Sequence, residues 1–209
     1  MPLIRDNRPQ PETASSPPRE RLFDQLAGAD IGERRLAALA LSGDRDAAPA
    51  LAAGLENELE PGVRDALFRS LVTIGGAPAA KLVQRLLRSA DAGLRSGAVE
   101  ALKRLGVDAV PVLDILLDDS DSDVRLLAIE VTRAWPSALA MPRLLRIIEQ
   151  DPHVNVCGAA VDVATEVGTG DLLPALAGLR LRFADDPFLV FAIEVACSRI
   201  DDDSGRRGA

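Results

Sequence analysis

The tetrad Ala98-Val99-Glu100-Ala101 returns as Ala128-Ile129-Glu130-Val131, Ala160-Val161-Asp162-Val163 and Ala192-Ile193-Glu194-Val195, at steps of 30, 32 and 32 residues. A unit of that length cannot bury its apolar face alone and must stack on its neighbours, so the recurrence dictates a quasi-one-dimensional array. Tyr is absent, aromatic residues make up 3% of the chain, and the 47% hydrophobic content is mostly Leu, Ala and Val, a palette that suits helices better than strands. The expected fold is all-α, a right-handed α-solenoid.

A second apolar column, Val63, Leu94, Val124, Val156 and Phe188, runs four residues before the tetrad's first position. The two columns together give the apolar stripe of an amphipathic helix, with the tetrad's acidic member facing outward. After each such helix comes a short turn and a second apolar helix with Pro49, Pro111, Pro142 or Pro174 at its start, where the first-turn N–H groups have no intrahelical acceptor to lose. Five hairpins are expected, at roughly 32–58, 61–89, 92–118, 122–149 and 154–181, followed by an unpaired half repeat at Pro187–Ile200. Residues 1–20 hold five of the fourteen prolines and read as a flexible arm. Residues 21–200 read as one repeat domain, and 201–209 as a soluble, frayed tail.

A net charge of −8 argues against nucleic acid as the main partner, because phosphate binding needs a concentrated positive surface. No run of about 18 uncharged apolar residues is present and the N-terminus lacks a signal-peptide core, so a cytoplasmic protein with no membrane partner is expected. The two cysteines, Cys157 and Cys197, lie inside helical patterns and read as core residues rather than a disulfide framework.

Residue supply also limits catalysis. His153 is the only histidine, too few for a paired-His iron centre, and two cysteines forty residues apart fall short of a zinc site. His153 follows Asp151-Pro152 and reads as a helix-start residue, while Cys157 has no second His to activate it and small apolar neighbours that mark a packed position. Gly168-Thr169-Gly170-Asp171 is a turn without a phosphate-loop signature, and Trp135 alone gives no base-stacking cleft. No catalytic residue, metal or cofactor is expected.

The junction Asp118-Asp119-Ser120-Asp121-Ser122-Asp123-Val124-Arg125, followed by Leu126-Leu127-Ala128-Ile129-Glu130, resembles that of HEAT repeats, in particular the short bacterial kind also found in phycobilisome-lyase-like proteins. The Val-Arg pair recurs as Val63-Arg64 and Leu94-Arg95, and in weaker form as Arg34-Arg35. The resemblance implies structural roles for Asp119 and Arg125, with Arg64 and Arg95 in the same ladder. Physically, an Asp before a helix accepts first-turn N–H bonds, and an Arg one residue after a buried Val reaches acidic groups of the adjacent repeat. Cys157 and Leu189 replace Arg in the last two units.

Three surfaces remain. The acidic column Glu100, Glu130, Asp162 and Glu194 reads as a solvated face with local partners in Arg104 and Arg133. The second helices would line the concave side that solenoids use for binding, with Lys81, Gln84, Arg85 and Arg88, then Asp114, then Arg143 and Arg146 making a mixed, mainly basic strip. Phe183, Phe188 and Phe191 form either a docking or self-association patch or a packed cap. The expected function is a non-enzymatic adaptor that binds another protein through the strip or the cap. The terminal stretch RFADDPFLVFAIEVA is similar to that of small repeat proteins accompanying chemotaxis-type signalling modules. A phycobilin lyase or related chromophore handler is the alternative that the repeat type implies.

Overall fold

The computed structural model describes residues 18–207, with side chains through Asp201, and is helical throughout apart from short connections. Residues 1–17, most of the expected arm, and residues 208 and 209 lie outside the described residues. Five hairpins follow one another: α2 (Ile31–Ala40) with α3 (Ala48–Asn57), α4 (Pro61–Ile74) with α5 (Gly76–Val83), α6 (Ala92–Leu105) with α7 (Val110–Leu116), α8 (Ser122–Thr132) with α9 (Ser137–Gln150), and α10 (Val154–Val167) with α11 (Leu173–Arg182). A helix α1 (Arg19–Leu26) precedes them and packs on α2, and α12 (Pro187–Arg207) closes the stack. The chain is an α-solenoid.

The first helices of the hairpins stack in order, α2 on α4, α4 on α6, α6 on α8, α8 on α10 and α10 on α12, and carry most of the contact between repeats. The reason is their apolar content on two flanks: the tetrad residues Ala98, Ala128 and Ala160 are fully buried, as are Ile129 and Val161 beside them. Small residues set how near the helices come. A Cβ on Gly97 of α6 would overlap the ring of Phe68 on α4, so only glycine permits that approach. Ser70 of α4 donates to the Ala38 carbonyl of α2 at 2.8 Å, satisfying its hydroxyl within the buried seam.

The second helices behave differently along the array. Packing runs from α3 to α5 to α7, and from α9 to α11, but α7 and α9 barely touch. Polar bridges span that gap: Arg143 pairs with Asp114, and Arg146 with Asp118 at 2.8 Å.

Three boundaries and one member of the apolar column depart from the sequence-based expectation. Helix begins at Arg19, inside the expected arm, because Arg19–Leu26 buries Leu22 and packs on α2. Helix α9 begins at Ser137, so Pro142 lies in its interior. The missing Pro N–H leaves a gap in the helical ladder there, while Ser137 anchors the helix start by donating to the Val167 carbonyl at 2.8 Å. Helix α12 runs on to Arg207, through most of the expected frayed tail. The apolar column fails at its last member: Val63, Leu94, Val124 and Val156 are at most 3% exposed, whereas Phe188 is 86% exposed.

Candidate interaction surfaces

An arginine ladder ties each repeat to the chain before and after it. Arg34 on α2 donates to the carbonyls of Gly28 and Ala29, six and five residues earlier, Arg95 on α6 to those of Ser89 and Ala90, and Arg125 on α8 to those of Asp119 and Ser120. Arg64 on α4 reaches the Glu58 carbonyl, again six residues back, at 2.6 Å. Each guanidinium therefore caps the loop that precedes its helix, and those of Arg34, Arg64 and Arg125 also reach forward. There Arg34 holds Glu58 at 2.7 Å, Arg64 holds Asp91 at 2.7 Å, and Arg125 holds Asp151 through two bonds of 2.7 and 3.1 Å. The planar fork suits this double duty in a way that a lysine ammonium does not.

The carboxylates respond. Hydrogen bonding to Arg34 holds Glu58 below the usual glutamate range, and Arg64 together with the backbone N–H groups of α6 does the same for Asp91. Asp91 also caps α6, accepting from Gly93 and Leu94. Asp30 and Asp121 cap α2 and α8 in the same manner, so the capping column stands four residues before the ladder arginine. Asp119 is not the cap of α8. It accepts from the Asp121 N–H and pairs with Arg88 of the preceding second helix. In the first repeat the ladder position is Arg34, preceded by the exposed Glu33 rather than by an apolar residue.

Arg95 is the exception among the ladder arginines. It makes no carboxylate bond among the described residues, and beside it a groove of about 440 Å³ opens toward Asp121, Val124 and Leu127 of α8.

Where Cys157 replaces arginine, the slot is still filled. The Cys157 thiol donates to the Asp151 carbonyl six residues back at 3.3 Å. Arg182, at the end of α11, brings its guanidinium to the carbonyls of Ile148 at 3.0 Å and Asp151 at 2.9 Å, to that of Glu149, and to the Cys157 sulfur at 3.3 Å. Burial pushes the Cys157 thiol up in pKa despite that neighbouring cation, and Cys197 moves the same way. A thiol held protonated in the core is a poor nucleophile. His153 sits at the start of α10 with its N–H donated to Asp151 at 2.8 Å. Among the described residues no three His, Cys, Asp or Glu side chains gather in a metal-sized group.

The expected basic strip on the second helices is not a row of free cations. Arg143 is spent on Asp114, on the Leu139 carbonyl at 2.7 Å and on the face of buried Trp135, 5.8 Å from the ring centroid. Arg146 is matched by Asp118, and Arg88 by Asp119. Lys81 near the end of α5, and Gln84 and Arg85 in the 3-10 segment Gln84–Arg88 that follows it, carry no such pairing among the described residues, and Lys81 and Arg85 are exposed. The acidic column is likewise locally neutralised, though Glu100 pairs with Lys103 rather than Arg104, at 2.8 Å. Arg133 gathers Glu130, Asp162 and Glu166, and Arg180 holds Glu194.

The aromatic end leaves neighbouring large apolar side chains open, while Leu36, Leu59, Val107 and Ile115 are exposed elsewhere along the array. Phe183 is half-buried beneath the Arg182 guanidinium, 5.0 Å from its ring centroid. Phe188, Phe191 and Val195 are 86%, 67% and 44% exposed. The inward face of α12 is instead made of Leu189, Ile193, Ala196 and Ile200. Leu189 occupies the ladder column and lies in the core at 4% exposed, while Phe188 before it faces out.

The model of a family described as HEAT repeats matches residues 19–103, the first hairpins and most of α6. That segment is similar to HEAT repeats. Beyond the match, Arg125 and Cys157 keep the six-residue register of the ladder. Among solved structures the chain is similar to the archaeal HEAT-like repeats protein from Thermococcus onnurineus NA1, at 16% identity over 88% of this chain and 87% of that one, with a TM-score of 0.45. It is also similar to an engineered protein, at 20% identity over 88% and 96% of the two chains and a TM-score of 0.42. A third likeness is to the complex of CpcE and CpcF of phycocyanin lyase from Nostoc sp. PCC7120, at 17% identity over 95% and 100%, with a TM-score of 0.37. No curated protein matches the chain. No described helix is long and apolar enough to cross a membrane.

Proposed function

We propose that the chain is a non-enzymatic protein-interaction scaffold that docks through the outward face of α12. The observation that carries this reading is the exposure of Phe188, Phe191 and Val195 on the terminal helix, spaced at three and four residues so that they form one stripe. Two large aromatic side chains with no described element over them are the composition of an interface core. Charged residues elsewhere are largely engaged in holding repeats together, which favours this end over the second-helix strip. A setting in a chemotaxis-type signalling assembly rests on the likeness of the terminal stretch alone.

A photoreactive residue placed at Phe191 in cells, with a second placed at Lys81 for comparison, tests the reading. The expected result is a protein adduct at position 191 that disappears when Phe188 is changed to Glu. Adducts formed only at position 81, with the α12 stripe inert and the helical content unchanged, overturn it.

A further inference from the structure

The stripe on α12 has a symmetry that points to its occupant. On a helix of 3.6 residues per turn, Phe188, Phe191, Val195 and Arg199 fall within an arc of about 80°. At one end stands Asp185, just before the helix, and at the other Arg199; both are exposed, and neither makes an ion pair among the described residues. The apolar residues lie between opposite charges, so the pattern reads the same in reverse when a second helix is laid antiparallel.

From this arrangement we infer that the α12 face binds a second copy of the same chain, giving a tail-to-tail dimer with two-fold symmetry. The inference rests on the docking role assigned to α12 above. A two-fold axis beside Phe191 and Ala192 sets Phe188 of one copy against Val195 of the other and lays Asp185 alongside the second copy's Arg199, twice per interface. Such isologous pairing uses one patch for both sides, the commonest way a soluble chain closes on itself. Antiparallel α12 helices also oppose their macrodipoles favourably. An unrelated partner has no need of a patch whose charges reverse end for end. Leu189, Ile193 and Ala196 on the opposite face are buried in the core, so the stripe is already presented outward.

The test is the mass of the full chain by light scattering and sedimentation, across its soluble concentration range. The expected species has twice the 22.1 kDa of one chain. Phe188→Glu raises the dissociation constant by about 100-fold or more. Asp185→Arg and Arg199→Asp each weaken the dimer by about tenfold, while the two together restore it to within a few-fold, because the ion pairs re-form with reversed polarity. Phe188 and both charged residues are exposed, and circular dichroism verifies that each variant keeps its helices. A wild-type chain that stays monomeric, a dimer indifferent to Phe188→Glu, or a double reversal that fails to recover overturns the proposal. Monomeric wild type whose position 191 still cross-links another protein rejects the second copy and leaves the docking role standing; no adduct of any kind rejects both.

Discussion

Removing the Arg125 guanidinium strands Asp151, whose side chain is 2% exposed, with its forward ion pair gone. Arg125→Met should therefore cost about 3 kcal/mol in urea-induced unfolding, the range for breaking a buried pair by deleting one partner. Arg69→Met, which severs the exposed bridge to Asp65, should change stability by less than about 0.5 kcal/mol. The Glu58 carboxylate carries a pH signature of the same ladder. Its pKa in the fold lies below its unfolded value because of Arg34. The stabilisation it supplies is thus complete above the glutamate range near about 4.3 and drains away as pH falls through the folded value. Arg34→Met should flatten the acid limb of stability against pH, measured by denaturant titration from neutral to acidic pH. Arg64, Arg95 and Arg125 were legible as a column in the sequence, since each follows an apolar residue at a fixed step, and Arg34 keeps the step with Glu33 before it. Their acceptors were not: Glu58 and Asp151 sit in loops of different composition, and backbone carbonyls leave no mark in a sequence. A fixed offset of four residues before the arginine would have identified Asp30, Asp91 and Asp121 as the caps.

At the scale of helices, packing distance is set by single atoms. Gly97→Ala should destabilise the α4–α6 seam by about 1–3 kcal/mol, because the Phe68 ring must give way to the new methyl in a close-packed layer. The double variant with Phe68→Leu should recover much of the loss in the same melt. Arg182→Met should loosen the end of α9 by about 2 kcal/mol, since carbonyls of Ile148, Glu149 and Asp151 lose a charged donor together. Hairpin limits were readable from periodicity and from the prolines at helix starts, whereas Pro142 misled because an apolar stripe continues on both sides of it. Arg182 was invisible as a ladder element: it lies on a second helix and reaches the Cys157 slot through tertiary structure alone. The column places Phe188 inward, whereas in the fold Leu189 takes the inward position and Phe188 is exposed.

Taken as a whole, the array is uneven in how it is joined. Apolar seams link α2 to α4 and α8 to α10, while the centre is joined by a thinner seam of α8 on α6, with lesser packing on α7, and by the pairs Arg143–Asp114 and Arg146–Asp118. Arg95, which lacks a forward carboxylate, sits at that same junction beside an open groove. Native-state hydrogen exchange should consequently resolve two cooperative blocks, α2–α7 and α8–α12, whose opening energies separate further when Asp114 and Asp118 are changed to Asn and converge at low salt, where surface pairs strengthen. Exchange as one unit under all conditions would refute this. The solenoid as a class was readable from the repeat step, but the uneven joint was not, because it arises from what two second helices fail to touch.

The sparse contact between α7 and α9 also gives the molecule a mechanical character. Pulled from its two ends, a stack of apolar seams resists until a layer tears, whereas ion pairs at a wet joint can exchange partners with water and re-form over small displacements. Compliance should thereby concentrate at the α7–α9 step, with a stiffness that falls as salt is added.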